Sequence, residues 1–134
     1  MQSVVAGALI GLLAVIVGAA TGHGPVARLD AEGLRSLATA VRYHEFGAVM
    51  IVMTGLASAL WPAGRVACRL GWASWLFVAG TLLFSFSLYG RLLLGLSWLG
   101  PVTPLGGLVH MAAWLTLAWA AITALRQPDA SRRG

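Results

Sequence analysis

The chain has 134 residues, 59% of them hydrophobic and 10% charged, against roughly a quarter charged in a water-soluble domain. That shortfall excludes a globule wrapped in water, so the outer surface must face lipid. The net charge is +5 and all nine cations are arginines. They stand singly along the chain with no basic helix face, which excludes a nucleic-acid surface and fits arginines flanking apolar spans.

A helix needs about 20 apolar residues to cross the hydrocarbon core. Four stretches qualify: residues 3–21, 44–61, 70–94 and 104–126. None shows the period-two alternation of a membrane barrel. The expected fold is therefore all-α, a four-helix bundle making one transmembrane domain over residues 1–134. Met1-Gln2-Ser3 carries no positive charge ahead of the first run, so that run reads as a retained span rather than a cleaved signal.

The connections are legible from their breakers. Gly22 to Tyr43 is the longest. Asp30 can cap a helix with Glu32 in its first turn. Leu34, Leu37 and Val41 follow at helical spacing, with Arg35 and Arg42 off that stripe. This predicts a short amphipathic interfacial helix between spans 1 and 2, either a lid on the bundle or a docking surface, with room to run on into the second span. In Trp61-Pro62-Ala63-Gly64-Arg65 the proline stops the second helix. In Gly100-Pro101-Val102-Thr103-Pro104, Thr103 is placed to cap the fourth helix, with Pro104 in its first turn. Trp61, Trp72 and Trp98 fall near span ends, at headgroup level.

Lipid gives helices no hydrophobic reason to associate, whereas close approach through small residues does. Gly7, Gly11, Gly18 and Gly22 share one face of the first span. Gly47 and Gly55 lie on a small-residue stripe of the second. Gly106, Ala113 and Ala120 recur every seven residues in the fourth, and His110 shares their face.

Ionisable groups inside a membrane are costly and are candidates for function. They are His23, Arg42, His44, Glu45, Arg91 and His110. Alternating span ends put them in one half of the bilayer. They form either a structural set of ion pairs and hydrogen bonds, such as Glu45 with Arg42 or Arg91, or a proton- or ion-handling cluster. No HxxxH or HxxE spacing sets two metal ligands on one face, so no metal site and no cofactor are expected. The lone Cys68 supports neither an internal disulfide nor a thiolate cluster. No nucleophile elbow or phosphate loop is present, so the chain reads as non-enzymatic.

Three segments resemble the YgdD-like small inner-membrane proteins, a family of unknown function. Gly18-Ala19-Ala20-Thr21-Gly22-His23 is similar to that family's GAxGAH. Leu83-Phe84-Ser85-Phe86-Ser87-Leu88-Tyr89 is similar to its LFSGSLY. Val102-Thr103-Pro104-Leu105-Gly106-Gly107 is similar to its TPxGG, and Tyr43 matches the tyrosine opening its second span. The resemblance implies four helices in the bacterial inner membrane and no established activity. It adds Gly107 to the packing glycines. The chain departs from the pattern at Gly47, where a histidine is expected, at Phe86, where a glycine is, and at Arg91 and His110, where apolar residues are usual. His110 is expected to supply from the fourth helix what Gly47 lacks on the second.

The reading is a small accessory or scaffold subunit, with lipid and other membrane-protein subunits as partners. A stand-alone transporter or proton/ion conductor is the alternative, and a haem- or metal-binding electron carrier a weaker one. Even span number puts both termini on one side. Five arginines there against four opposite make that side cytoplasmic.

Overall fold

The computed structural model describes residues 1–23 and 29–126, and only the backbone of Gly22 and His23. The expectations for the packing of Gly22, for the His23 side chain, for Arg28 and for the tail with Arg132 and Arg133 lie outside the described residues. The elements are α1 (Gln2–His23), α2 (Ala31–Leu60), α3 (Arg65–Thr81), a π-helical turn (Leu82–Phe86), α4 (Ser87–Leu93), a 3-10 turn (Ser97–Leu99) and α5 (Val102–Leu125). No strand occurs among the described residues. Four stretches are long and apolar enough to cross a membrane: Gln2–Thr21, Ala31–Leu60, Arg65–Leu93 and Ser97–Leu125.

The amphipathic segment is not a separate interfacial helix. Asp30 accepts the Gly33 amide at 2.8 Å and starts a helix that continues unbroken to Leu60. Nothing interrupts it, since residues 31–60 contain no proline. Its 30 residues span roughly 45 Å at 1.5 Å per residue, against about 30 Å of hydrocarbon. The first turns therefore project beyond the core. Leu37 and Ala40 pack there against Leu88 and Tyr89 of α4, so the segment covers that end of the bundle. At the other end Trp61 turns extended ahead of Pro62. Gly64 takes φ +151°, open to glycine alone, and α3 begins.

The central span is α3 with its continuation to Leu93. It packs against α2 on one side and α5 on the other, while α1 lies against α2. Apolar contact centres on Ile10, Ile51, Phe77 and Ala113. Polar ties supplement it: Ser74 donates to the Ile51 carbonyl at 3.0 Å and Ser58 to the Ala67 carbonyl at 2.8 Å. Such bonds and close backbones are what hold helices together in lipid. Gly7 meets the side chains of Ile51 and Val52, and Gly55 those of Ser3 and Val4. Gly11 and Gly18 are looser, with Ala48 and Glu45 as neighbours at ordinary contact distance.

Two expectations need correction. Thr103 does not cap α5: the helix starts at Val102 behind Pro101, and the Thr103 hydroxyl meets Ser87 of α4 instead. Gly107 is not a packing residue, because an added Cβ would meet nothing within 4 Å.

Candidate functional site

The second half of the central span carries the one π-helical turn among the described residues, Leu82–Phe86, which overlaps the Leu83–Tyr89 motif. An inserted residue rotates the rest of the helix by about 100°. Before the turn α3 buries Leu70, Ala73, Ser74, Phe77 and Thr81 at helical spacing. After it Ser87, Leu88, Tyr89 and Gly90 are buried in succession. The turn thus re-aims the chain from α5 and the middle of α2 toward the start of α2. Such turns are rare and concentrate at functional positions.

The motif opening α5 docks on this turn. Gly106 lies against the backbone of Leu83 and Phe84 with no room for a side chain. Ser87 Oγ donates to the Phe84 carbonyl at 2.9 Å and lies 2.8 Å from Thr103 Oγ1. The two sequence motifs are therefore two halves of one contact.

His44 and His110 both border it. His44 of α2 is wholly enclosed, with Nδ1 3.2 Å from the Tyr89 hydroxyl. Its ring sits 5.2 Å from that of Phe86 and 5.8 Å from that of Tyr89. His110 of α5 lies over Gly80, its Nδ1 3.3 Å from the Gly106 carbonyl. Rings of Tyr43 at 5.9 Å, Phe77 at 6.0 Å and Phe84 at 6.4 Å surround it. A carbonyl only accepts, so Nδ1 of His110 donates, and in the neutral ring Nε2 is left as a free acceptor.

Four buried polar atoms gather around the turn without a hydrogen-bond partner: His44 Nε2, Thr81 Oγ1, Ser85 Oγ and His110 Nε2. Thr81, Ser85 and His44 are fully enclosed and His110 is 5% exposed. Thr21, Thr39, Thr54, Thr116 and Thr123 each satisfy their hydroxyl on the carbonyl four residues back. Thr81 does not. An unmet buried hydroxyl costs about 1–3 kcal/mol. These are unpaired donors and acceptors that a small polar species could meet; no hydrogen bond joins them to one another. Among the described residues no three potential ligands converge on a metal position.

The structure divides the sequence-derived cluster. His44 and His110 turn inward, each with its own aromatic neighbours. Arg42 and Glu45 are exposed and line a groove between α1 and α2, with Gly18, Thr21 and Leu34 on its other walls. Arg91 is exposed in the last turn of α4. They form no single site. Nor does His110 fill the place of the histidine missing at Gly47. Thr81 occupies that space, and His110 reaches α2 one turn earlier, at Tyr43. Thr81, Ser85 and Tyr89 belong to the site without being singled out by the sequence pattern. Ser85 and Tyr89 lie inside the Leu83–Tyr89 motif, but nothing in composition marks which hydroxyls a π-turn faces inward.

These features define a multi-span α-helical membrane protein whose motif pair closes on a polar π-turn. The chain belongs to the family described as protein of unknown function DUF423, whose pattern matches residues 17–107. It is 37% identical over 120 residues to the UPF0382 membrane protein YwdK of Bacillus subtilis, covering 89% of this chain and 94% of that one. It is 39% identical over 116 residues to a UPF0382 membrane protein of Schizosaccharomyces pombe, covering 82% and 92%. A Haemophilus influenzae UPF0382 membrane protein is 34% identical over 112 residues, covering 84% and 86%. No solved structure matches the chain.

Proposed function

We propose that this chain is a non-catalytic accessory or scaffold subunit of the bacterial inner membrane, close to the YgdD-like proteins, which packs against a larger membrane protein. The carrying observation is a shallow apolar groove of about 280 Å³ on the outer side of α1 and α2. Gly7, Ala8 and Gly11 form one wall, and Val49, Val52 and Met53 the other. Gly7 is buried against Ile51 and Val52, but Ala8 is exposed and Gly11 half-buried, and small residues on a lipid-facing surface let a foreign helix approach closely, a main source of helix association in a bilayer. The arrangement of α1 supports this, since α1 rests mainly on α2 and leaves its flank free. Conduction would require water at the polar groups of the bundle. His44, Thr81 and Ser85 are instead wholly enclosed, which favours the subunit reading. Both termini are assigned to the cytoplasmic side on the arginine balance.

The test places a photocrosslinking residue at Gly11 or Met53, with Leu115, an outward residue of α5, as control. Crosslinking is done in native membranes before purification in mild detergent. Stoichiometric adducts to one defined membrane protein from the groove positions, and not from Leu115, are the expected result. Recovery of the chain alone, with adducts only to lipid, overturns the proposal.

A further inference from the structure

The clearest unassigned feature lies at the opposite end of the bundle from the π-turn, where α3 begins and α5 ends. Arg65 and Arg69 stand one turn apart on α3. Trp119 and Thr123 stand four residues apart on α5, and Arg126 follows its last residue. With Ile122 they enclose a pocket of about 220 Å³. The Arg69 guanidinium lies 3.7 Å over the Trp119 ring, a stacking that fixes its plane. Of the acids in the described residues, Asp30 and Glu32 lie at the far end of α2 and Glu45 in its middle. None lines this pocket. The helix ends oppose each other here, the amides of the α3 start against the carbonyls of the α5 end, so the imbalance rests on the arginines. Arg65 and Arg69 sit in the first turns of α3, where the amides already present positive charge. Gly64 supplies no side-chain cap, and the first turn holds no acid. Three arginines around one cavity with no acid in its lining are matched by an anion with several oxygens.

The surroundings select an amphipathic anion over a soluble one. Trp119 and Ile122 are about half exposed, and Leu115 and Leu125 of the same helix are 73% and 86% exposed. An apolar track therefore runs from the pocket along the outside of α5, and the indole marks headgroup depth. We propose that this pocket binds the phosphate of an anionic phospholipid, with the acyl chains lying along α5.

The full chain, purified in mild detergent, is titrated with dioleoylphosphatidylglycerol or dioleoylphosphatidylcholine, and bound lipid is read by native mass spectrometry. One phosphatidylglycerol is expected to bind in preference to phosphatidylcholine. R65Q, R69Q and R126Q should each weaken it about fivefold, the usual worth of an arginine at an anionic surface. R35Q, at the other bundle end, should leave it unchanged. R69K tests the stacked plane and should fall between wild type and R69Q. Circular dichroism and elution volume establish that each variant is folded. Inorganic phosphate is added separately to lipid-free protein and read as a thermal shift. Stabilisation by phosphate without lipid retention would assign the pocket to a free anion and overturn the lipid assignment. Equal binding of the two lipids, or an R35Q loss as large as that of R69Q, overturns the site altogether.

Discussion

Replacing Gly106 by alanine tests the contact between the two sequence motifs. The new Cβ would stand 2.7 Å from the Leu83 carbonyl carbon and from Phe84 Cα. Carbon atoms rest at about 3.5–4.0 Å, so the surfaces must part by roughly 0.8 Å or more. The opposing atoms are backbone, with no rotamer to change, and the 2.8 Å Ser87–Thr103 contact must stretch too. Overpacking of this kind costs about 1–3 kcal/mol. Alanine also favours the helix over glycine by about 1 kcal/mol, which hides part of the loss. Gly107→Ala cancels that gain, because its Cβ meets nothing within 4 Å. The difference between the two variants therefore isolates the packing term. Thermal unfolding in detergent, followed by far-ultraviolet circular dichroism, should place Gly106→Ala roughly 4–12 °C below Gly107→Ala on the scale of small domains. Equal midpoints, or a lower one for Gly107→Ala, would refute the docking of α5 on the π-turn.

Four further outcomes are expected. Tyr89→Phe removes the partner of His44 Nδ1, a loss of about 1–3 kcal/mol; a neutral result in chemical denaturation would disprove that bond. Ser87→Ala and Thr103→Val should each cost about 1 kcal/mol and be non-additive together, since they share one contact; strict additivity in the double-mutant cycle would count against it. Asp30→Ala should cost about 1 kcal/mol and raise amide exchange over the first turns of α2 while leaving residues 44–60 protected, whereas exchange along the whole helix would contradict a local cap. Thr81→Val exchanges an unpartnered buried hydroxyl for a methyl of the same shape and should raise stability by about 1 kcal/mol, so a loss on thermal unfolding would mean that the hydroxyl has a partner.

The legible part of the sequence is the part that lipid dictates. Four apolar runs without alternation have only the helical solution, so the class of fold could be read directly. Asp30 and Pro62 act through local backbone chemistry, and both ends of α2 follow from them. The continuity of α2 is harder to see. A helical stripe looks the same in a helix lying in the interface and in one projecting from the core, and only the contact of Leu37 with α4 decides between them. Thr103 shows the limit of local signals. A threonine before proline is a good cap by type, yet its hydroxyl is used across the helix pair by Ser87. Gly106 and Gly107 are identical in sequence terms, but one faces backbone and the other open space. The grouping of ionisable residues fails for a related reason. Shared bilayer depth does not imply a shared face: Arg42 and Glu45 stand to one side of the His44 stripe and Arg91 points outward.

The π-turn explains why the chemically informative residues escape the sequence pattern. A regular helix through residues 82–86 would keep one buried stripe, and hydroxyls on it would fall back on carbonyls four residues earlier, as the other threonines do. The extra residue breaks that register and encloses Ser85, while Thr81 is pressed between Gly47 and its own helix. Stability alone favours valine and alanine at these two positions. The hydroxyls therefore either answer a polar species within the turn or tune the fit of α2 against α3. Thr81→Val and Ser85→Ala separate these: stabilised variants that still crosslink through the α1–α2 groove would assign the polar turn a role apart from scaffolding. Stabilised variants that lose the crosslink would make the π-turn the element that sets the groove.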